Sequence, residues 1–121
     1  MILKYNNQVL RYNKVVQEYM CTGLTAEAGP DQIGQGPQYN GLIYINLQAT
    51  TPTEGIGTWT SDNAFGQAIQ FDNIHSPTAI CSLDTSSVAA GNYPHVLTWT
   101  VTKNVYCSVS DTMTATFDVT F

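Results

Sequence analysis

The sequence predicts an all-β protein, an antiparallel β-sandwich of about seven strands preceded by a small N-terminal β-meander. Charged residues make up only 11% of the 121 residues, whereas surface helices usually carry many Lys, Glu and Arg side chains. Thr, Gly, Asn and Tyr are plentiful, which suits short strands and turns. Short runs of alternating apolar and polar residues recur between turn-forming segments, and this spacing is typical of a sandwich.

The first 22 residues nearly repeat every seven residues. The copies read ILKYNNQ, VLRYNKV and VQEYMCT, and each has a tyrosine at its fourth position: Tyr5, Tyr12 and Tyr19. Asn tolerates the positive φ of two-residue hairpin turns, which the pattern places at residues 6–7 and 13–14. We therefore predict a meander over residues 1–22, with the three tyrosines on one face.

This meander also contains three of the four basic residues of the chain, Lys4, Arg11 and Lys14. Residues 1–14 carry +3, whereas the remainder carries Lys103 against nine acidic residues, 1 − 9 = −8. The positive charge would steer the meander toward an acidic partner, or it would be the solubilising charge of an exposed sheet edge. The acidic remainder disfavours binding to nucleic acid and to anionic membranes.

A three-stranded sheet is marginally stable by itself in water, so the tyrosine-bearing face should cover either a partner or the protein's own core. A third alternative is self-association, in which the meander of one chain completes a sheet of its neighbour. Deleting residues 1–20 would then produce a soluble monomer.

The second predicted unit is the sandwich, residues 23–121. Residues 26–41 are rich in Gly, Pro, Asn and Asp and are predicted to be a turn-rich connection. Alternation predicts strands at residues 42–49, 58–61, 68–71, 78–83, 95–103 and 112–121. In the last strand Met113, Ala115, Phe117, Val119 and Phe121 are expected to face inward. A helical turn is predicted only within residues 84–90.

The cysteines favour an intracellularly assembled protein. Cys21, Cys81 and Cys107 are an odd number, so at least one is unpaired within the chain. Their scatter favours small buried thiols, with a Cys81–Cys107 disulfide as the alternative. The sequence shows no signal peptide and no apolar run near the roughly 20 residues that span a bilayer.

No constellation of residues predicts catalysis, a metal site or a cofactor. His75 and His95 fall in different predicted elements, and Asp72 lies three residues before His75 without a third ligand. A turn histidine and a strand-end histidine are therefore expected. Asp31 and Asp62 lie in predicted loops but in no acidic cluster of the kind that binds calcium. We expect a protein that is not an enzyme.

Three aromatic residues are expected in the core between the sheets: Trp59, Trp99 and Phe117. The two tryptophans lie in predicted strands with polar residues on either side, as core residues of a sandwich do. Stacking on a ligand is the alternative for the tryptophans.

Four segments resemble, in order, the PKD-like, immunoglobulin-like domains of Bacteroidetes surface proteins and phage virion proteins. They are AGPDQ (28–32), INLQATTPTEGIGTWT (45–60), SPTAICSL (76–83) and LTWTVTKNVYCSVSD (97–111). The resemblance covers residues 26–121 and implies an immunoglobulin-like sandwich. The family often has a cysteine just after AGPDQ that pairs with the counterpart of Cys107. Here Ile33, Gly34 and Gln35 follow, so the resemblance implies no such bridge and maturation in a reducing cytoplasm.

The start MILKYNNQVLRYNK (1–14) also resembles the leaders of small virion proteins of crAss-like phages. This resemblance implies a non-enzymatic structural protein of a virion that is assembled in the host cytoplasm. We favour an auxiliary protein that decorates the capsid, with a fibre or tail protein as the alternative. The major capsid protein or another virion protein would be its partner. The expected partner-binding residues are Lys4, Tyr5, Arg11, Tyr12, Lys14 and Tyr19.

The alternative is an adhesion or carbohydrate-binding module of a bacterial cell surface. For that function exposed aromatic residues would matter, and the candidates are Tyr39, Tyr44 and Tyr93.

Overall fold

Seven strands form in residues 23–121, the part of the chain that the computed structural model describes. They are β1 (Gln32–Pro37), β2 (Leu42–Asn46), β3 (Ile56–Ser61), β4 (Gln70–Phe71), β5 (Ile80–Asp84), β6 (Gly91–Asn104) and β7 (Cys107–Thr120). One sheet has the strand order β1-β7-β6-β3 and the other the order β2-β5-β4. The predicted all-β class with two sheets is confirmed. The meander predicted for residues 1–22 lies outside the described residues.

The long hairpin of β6 and β7 supplies much of the core, because apolar residues alternate with threonines along both strands. Leu97, Trp99 and Val101 of β6 are buried, as are the alternate residues Met113, Ala115, Phe117 and Val119 of β7. Phe121, which was expected to face inward, is 99% exposed. It lies beyond the end of β7, so no neighbouring strand covers it.

The strand β1 was not predicted, since residues 26–41 were expected to be a turn-rich connection. It runs parallel to β7, whereas the other strand pairs are antiparallel. Gly34 and Gly36 face β2, where an added Cβ would lie 2.7 Å from Ile45 Cγ1 and 2.6 Å from Ile43 Cγ1, respectively. Glycine is therefore needed here because the two sheets approach closely at this edge, and not because the chain turns.

Residues 84–90, where a single helical turn was expected, contain one hydrogen-bonded turn and no helix: the Val88 N–H donates to the Thr85 carbonyl at 3.0 Å. Asp84 Oδ1 accepts hydrogen bonds from the backbone N–H and the side chain of Ser86, at 2.9 and 2.7 Å. These bonds hold the start of the turn, as an N-cap side chain does, and they lower the pKa of Asp84. A 3₁₀ turn that was not predicted forms at Ala64–Gly66.

The aromatic core connects the two sheets through Trp59. Its ring lies 5.0 Å from that of Trp99 on β6, and on the other sheet it stacks on Phe71 with centroids 6.4 Å apart. Its Nε1 donates to the carbonyl of Ser76 at 2.9 Å. Trp59, Trp99 and Phe117 are all fully buried. Both indoles therefore belong to the core, and neither ring is open to a ligand.

The cysteines differ from the expectation. Cys107 is disulfide-bonded. Cys81 is free and buried on β5, so the alternative Cys81–Cys107 bridge is wrong. Because disulfides persist in oxidising surroundings such as cell and virion surfaces, the cysteines no longer support maturation in a reducing cytoplasm.

Gly57→Ala should destabilise the fold. A Cβ at this position would lie 2.0 Å from Cζ2 of Trp99, and relieving such overpacking costs about 1–3 kcal/mol. The loss would appear as a lower urea midpoint at an unchanged m-value. Thr60→Ala, at an exposed position of the same strand, is the matched control. A loss below about 0.5 kcal/mol for Gly57→Ala, the range of ordinary surface substitutions, would contradict this packing.

Cys81 should react with iodoacetamide only after the protein unfolds. Burial raises the pKa of its thiol to about 12, and the thiolate is the reactive form. Peptide mass spectrometry after alkylation with and without urea would measure the modification. Rapid alkylation of Cys81 in the native protein would show that β5 does not bury it.

Candidate functional site

The six predicted partner-binding residues lie outside the described residues. They are Lys4, Tyr5, Arg11, Tyr12, Lys14 and Tyr19. Their role in binding a partner stays a prediction.

The carboxylates that the sequence analysis considered as ligands, Asp31, Asp62 and Asp72, each accept a hydrogen bond from a backbone N–H group. Asp31 Oδ1 accepts from Thr114 at 2.8 Å, and Asp62 Oδ1 accepts from Ala64 at 3.1 Å. Asp72 Oδ1 accepts from Ile80 at 2.8 Å. Within residues 23–121 no group of three or more His, Cys, Asp or Glu side chains could hold a metal ion.

His75 lies in the segment between β4 and β5 and contacts β3. Its Nδ1 is 3.0 Å from the carbonyl oxygen of Gly57 and 3.2 Å from Oγ1 of Thr58. These contacts attach the segment to the edge of the larger sheet, which is a structural role.

His95 lies fully buried on β6, on the inward face that it shares with Leu97. Its Nε2 is 2.8 Å from Gln67 Oε1, and its Nδ1 is 3.4 Å from Asp62 Oδ1. The rings of Phe65 and Phe117 meet the imidazole edge-on at 5.8 and 5.7 Å. The expectation of a strand-end histidine overlooked this burial, although the alternation along β6 already placed residue 95 inward.

Burial lowers the pKa of His95, and the nearby Asp62 carboxylate opposes that shift only in part. With Gln67 Oε1 as acceptor, the neutral ring carries its proton on Nε2. Nδ1 then carries a lone pair and no proton, and the nearby Asp62 Oδ1 is also an acceptor. For this reason Nδ1 makes no hydrogen bond within the described residues. Protonation would add a donor facing Asp62 but would place a charge in the core.

Two of the three tyrosines named for the alternative function are well exposed. Tyr39 is 54% exposed and Tyr44 is 61% exposed. Tyr93 is half-buried: its ring meets Phe65 edge-on at 5.3 Å, and its hydroxyl donates to the carbonyl of Ala89 at 2.7 Å. Tyr93 therefore supports the Ala64–Gly66 turn and is not an open aromatic surface.

Tyr44 lies in a groove of about 480 Å³ on the outer face of the smaller sheet, which we call the Tyr44 groove. Its lining residues are Tyr44, Asn46, Gln70, Phe71, Asp72, Ile80 and Ser82. A second groove of about 460 Å³ lies where the Ala64–Gly66 turn meets β5. Sequence analysis missed both, because each is assembled from strands whose pairing the sequence did not reveal.

The described residues are strongly acidic. Residues 23–121 contain Lys103 and eight Asp and Glu residues, 1 − 8 = −7. Lys103 Nζ lies 3.2 Å from Glu54 Oε2, so an acidic side chain neutralises this positive charge. An anionic ligand would be repelled by this part of the protein.

No helix in residues 23–121 is long and apolar enough to cross a membrane. No family model, curated protein or solved structure matches the chain.

Stability should fall as the pH drops through the ordinary histidine pKa of 6.5. Since the folded state lowers the pKa of His95, the unfolded chain binds more protons between the folded and unfolded values, and acid favours unfolding there. Urea unfolding between about pH 8 and about pH 5 would measure the loss. His95→Gln should remove most of this pH dependence, whereas His75→Gln should keep it. An unchanged slope in the His95 variant would contradict the assignment.

Proposed function

We propose that this protein is a non-enzymatic structural protein of a phage virion, an auxiliary protein that decorates the capsid and docks through residues 1–22. In this proposal the sandwich is a PKD-like, immunoglobulin-like module that projects from the shell. The partner is the major capsid protein or another virion protein.

The observation that carries the proposal is the separation of charge along the chain. Residues 1–14 carry +3, from Lys4, Arg11 and Lys14, whereas residues 23–121 carry −7. Opposite charges on two surfaces steer their encounter and fix their orientation. A basic segment on an acidic protein therefore suits an acidic site on a partner, while the sandwiches of neighbouring copies repel one another.

The tyrosines of the same segment supply the second argument. Tyrosine is enriched among the residues that dominate binding energy, because its large ring has few torsions to restrict. Tyr5, Tyr12 and Tyr19 recur every seven residues. Charge would bring the segment to its site, and the three rings would hold it there.

A bacterial cell-surface adhesion module is the second candidate, favoured by two observations. Cys107 is disulfide-bonded, which suits an oxidising location. Tyr44 exposes most of its ring on the outer face of a sheet. A virion surface also accommodates both features, so the charge separation decides between the candidates.

Co-sedimentation with purified phage shells that lack this protein tests the proposal. We expect saturable binding by the full chain and none by a variant without residues 1–20. Charge reversal at Lys4, Arg11 and Lys14 to Glu should weaken binding at least tenfold and remove most of its salt dependence. Lys103→Glu, outside the segment, is the matched control and should still bind.

Three outcomes would count against docking through the segment. They are equal binding of the full and shortened chains, no binding of the full chain, and unaltered affinity after charge reversal. Circular dichroism and urea unfolding check that the shortened chain folds. If it does not, residues 1–20 belong to the core of this protein. If the full chain is an oligomer and the shortened one a monomer, the segment serves self-association.

A further inference from the structure

We propose that the Tyr44 groove binds a neutral saccharide, with the ring of Tyr44 as its stacking platform. The groove lies on the outer face of β2, β4 and β5, and its lining residues fall between residues 44 and 82, outside the segment to which we assign shell docking. The inference therefore stands independently of that proposed function.

The strand pairing explains how the groove is built. Ile43 and Ile45 of β2 are buried, so Tyr44, which lies between them, projects outward. The register places Tyr44 opposite Ser82 of β5, and Ser82 lies opposite Gln70 of β4. The small side chain of Ser82 thus separates two larger ones, which leaves an open trough between the tyrosine ring and the glutamine amide.

The neighbouring pair of residues on β2 and β5, together with Asp72, lines one end of the groove. Asn46 of β2 lies opposite Ile80 of β5. Beyond Ile80 lies Asp72, whose backbone N–H donates to the Ile80 carbonyl at 3.0 Å, while Asp72 Oδ1 accepts from the Ile80 N–H at 2.8 Å. These two bonds hold the carboxylate in position, and preorganised groups lose less entropy when a ligand binds.

The chemistry of the lining selects the class of ligand. An exposed aromatic ring and the apolar Ile80 offer a surface for the C–H face of a pyranose. The amides of Asn46 and Gln70 both donate and accept, and the Asp72 carboxylate accepts. Hydroxyl groups that both donate and accept, arranged around an apolar ring face, match this set. The volume of about 480 Å³ lies within the range of small-ligand sites.

The negative charge of the described residues restricts the expected ligands of the groove to neutral sugars. Residues 23–121 carry −7, and Asp72 lines the groove itself. Lys103, the basic residue of this range, is on β6 of the other sheet and pairs with Glu54. A sulfated or uronic sugar would therefore meet a repulsive field from residues 23–121, and this range offers no unpaired cation beside the groove to compensate it.

The test is a titration of the ¹⁵N-labelled full chain with sugars, in which NMR measures the change of each amide chemical shift. The probes are methyl β-D-glucoside, methyl β-D-galactoside, methyl α-D-mannoside and N-acetylglucosamine. We expect at least one to shift the amides of Tyr44, Gln70 and Ile80. Methyl β-D-glucuronide should bind more weakly than methyl β-D-glucoside, because of Asp72.

Two substitutions test whether the sugar stacks on the ring of Tyr44. Tyr44→Ala should weaken binding at least tenfold, and its spectrum away from the groove should match that of the unmodified protein, since the ring is mostly exposed. Tyr39→Asn is the matched control: Tyr39 is comparably exposed, lies outside the groove, and has a φ of 57° that Asn tolerates. This control should bind the sugar normally.

The proposal is overturned if no probe shifts the groove amides up to its solubility limit, or if Tyr44→Ala keeps full affinity. Tighter binding of the glucuronide than of the glucoside would also overturn it. So would a response to choline without one to the glycosides, because the ligand would then be a cation. Tyr44→Ala should still co-sediment with shells, so failure here and failure of shell docking are distinguishable.

Discussion

The contact between the indole rings of Trp59 and Trp99 is the constraint on which the rest of the sandwich depends. The rings lie opposite one another on β3 and β6, and Gly57 leaves the room that Trp99 occupies. Trp59 also stacks on Phe71 of the smaller sheet and bonds to Ser76. One side chain thus sets the position of β4 and of the segment after it. The Tyr44 groove includes Phe71 and Asp72, so its shape depends on this buried contact.

Several carboxylates accept hydrogen bonds from backbone N–H groups that are distant in sequence. This is the structural role of acidic residues in a chain with few charges. Asp31 and Asp111 connect the segment before β1 to β7 through backbone N–H groups more than 80 residues away in sequence. Asp72 does the same for β5. Charge-assisted hydrogen bonds of this kind are stronger than neutral ones. The acidic residues therefore stabilise loop positions, and their summed charge disfavours anionic ligands.

The chain contains two regions of different chemistry. Residues 1–22 combine positive charge with tyrosines in a repeated pattern, which suits an acidic protein surface. The Tyr44 groove combines one exposed ring with amides and a fixed carboxylate, which suits a neutral polar ligand. In the function that we propose, the first region would bind the particle and the second would be available for a ligand from the surroundings. The disulfide at Cys107 is compatible with such an external location.

The sequence by itself determined the all-β class, the positions of most strands and the inward residues of β6 and β7, since alternation is a local property. It also placed Trp59 and Trp99 in strands. Only the tertiary structure decided that residues 32–37 form a strand, because Gly34 and Gly36 indicate a turn until a second sheet lies against them. Likewise, no local pattern could bring Tyr44, Gln70 and Asp72 together. That groove requires the pairing of β5 with both β2 and β4, a long-range property that side-chain packing selects.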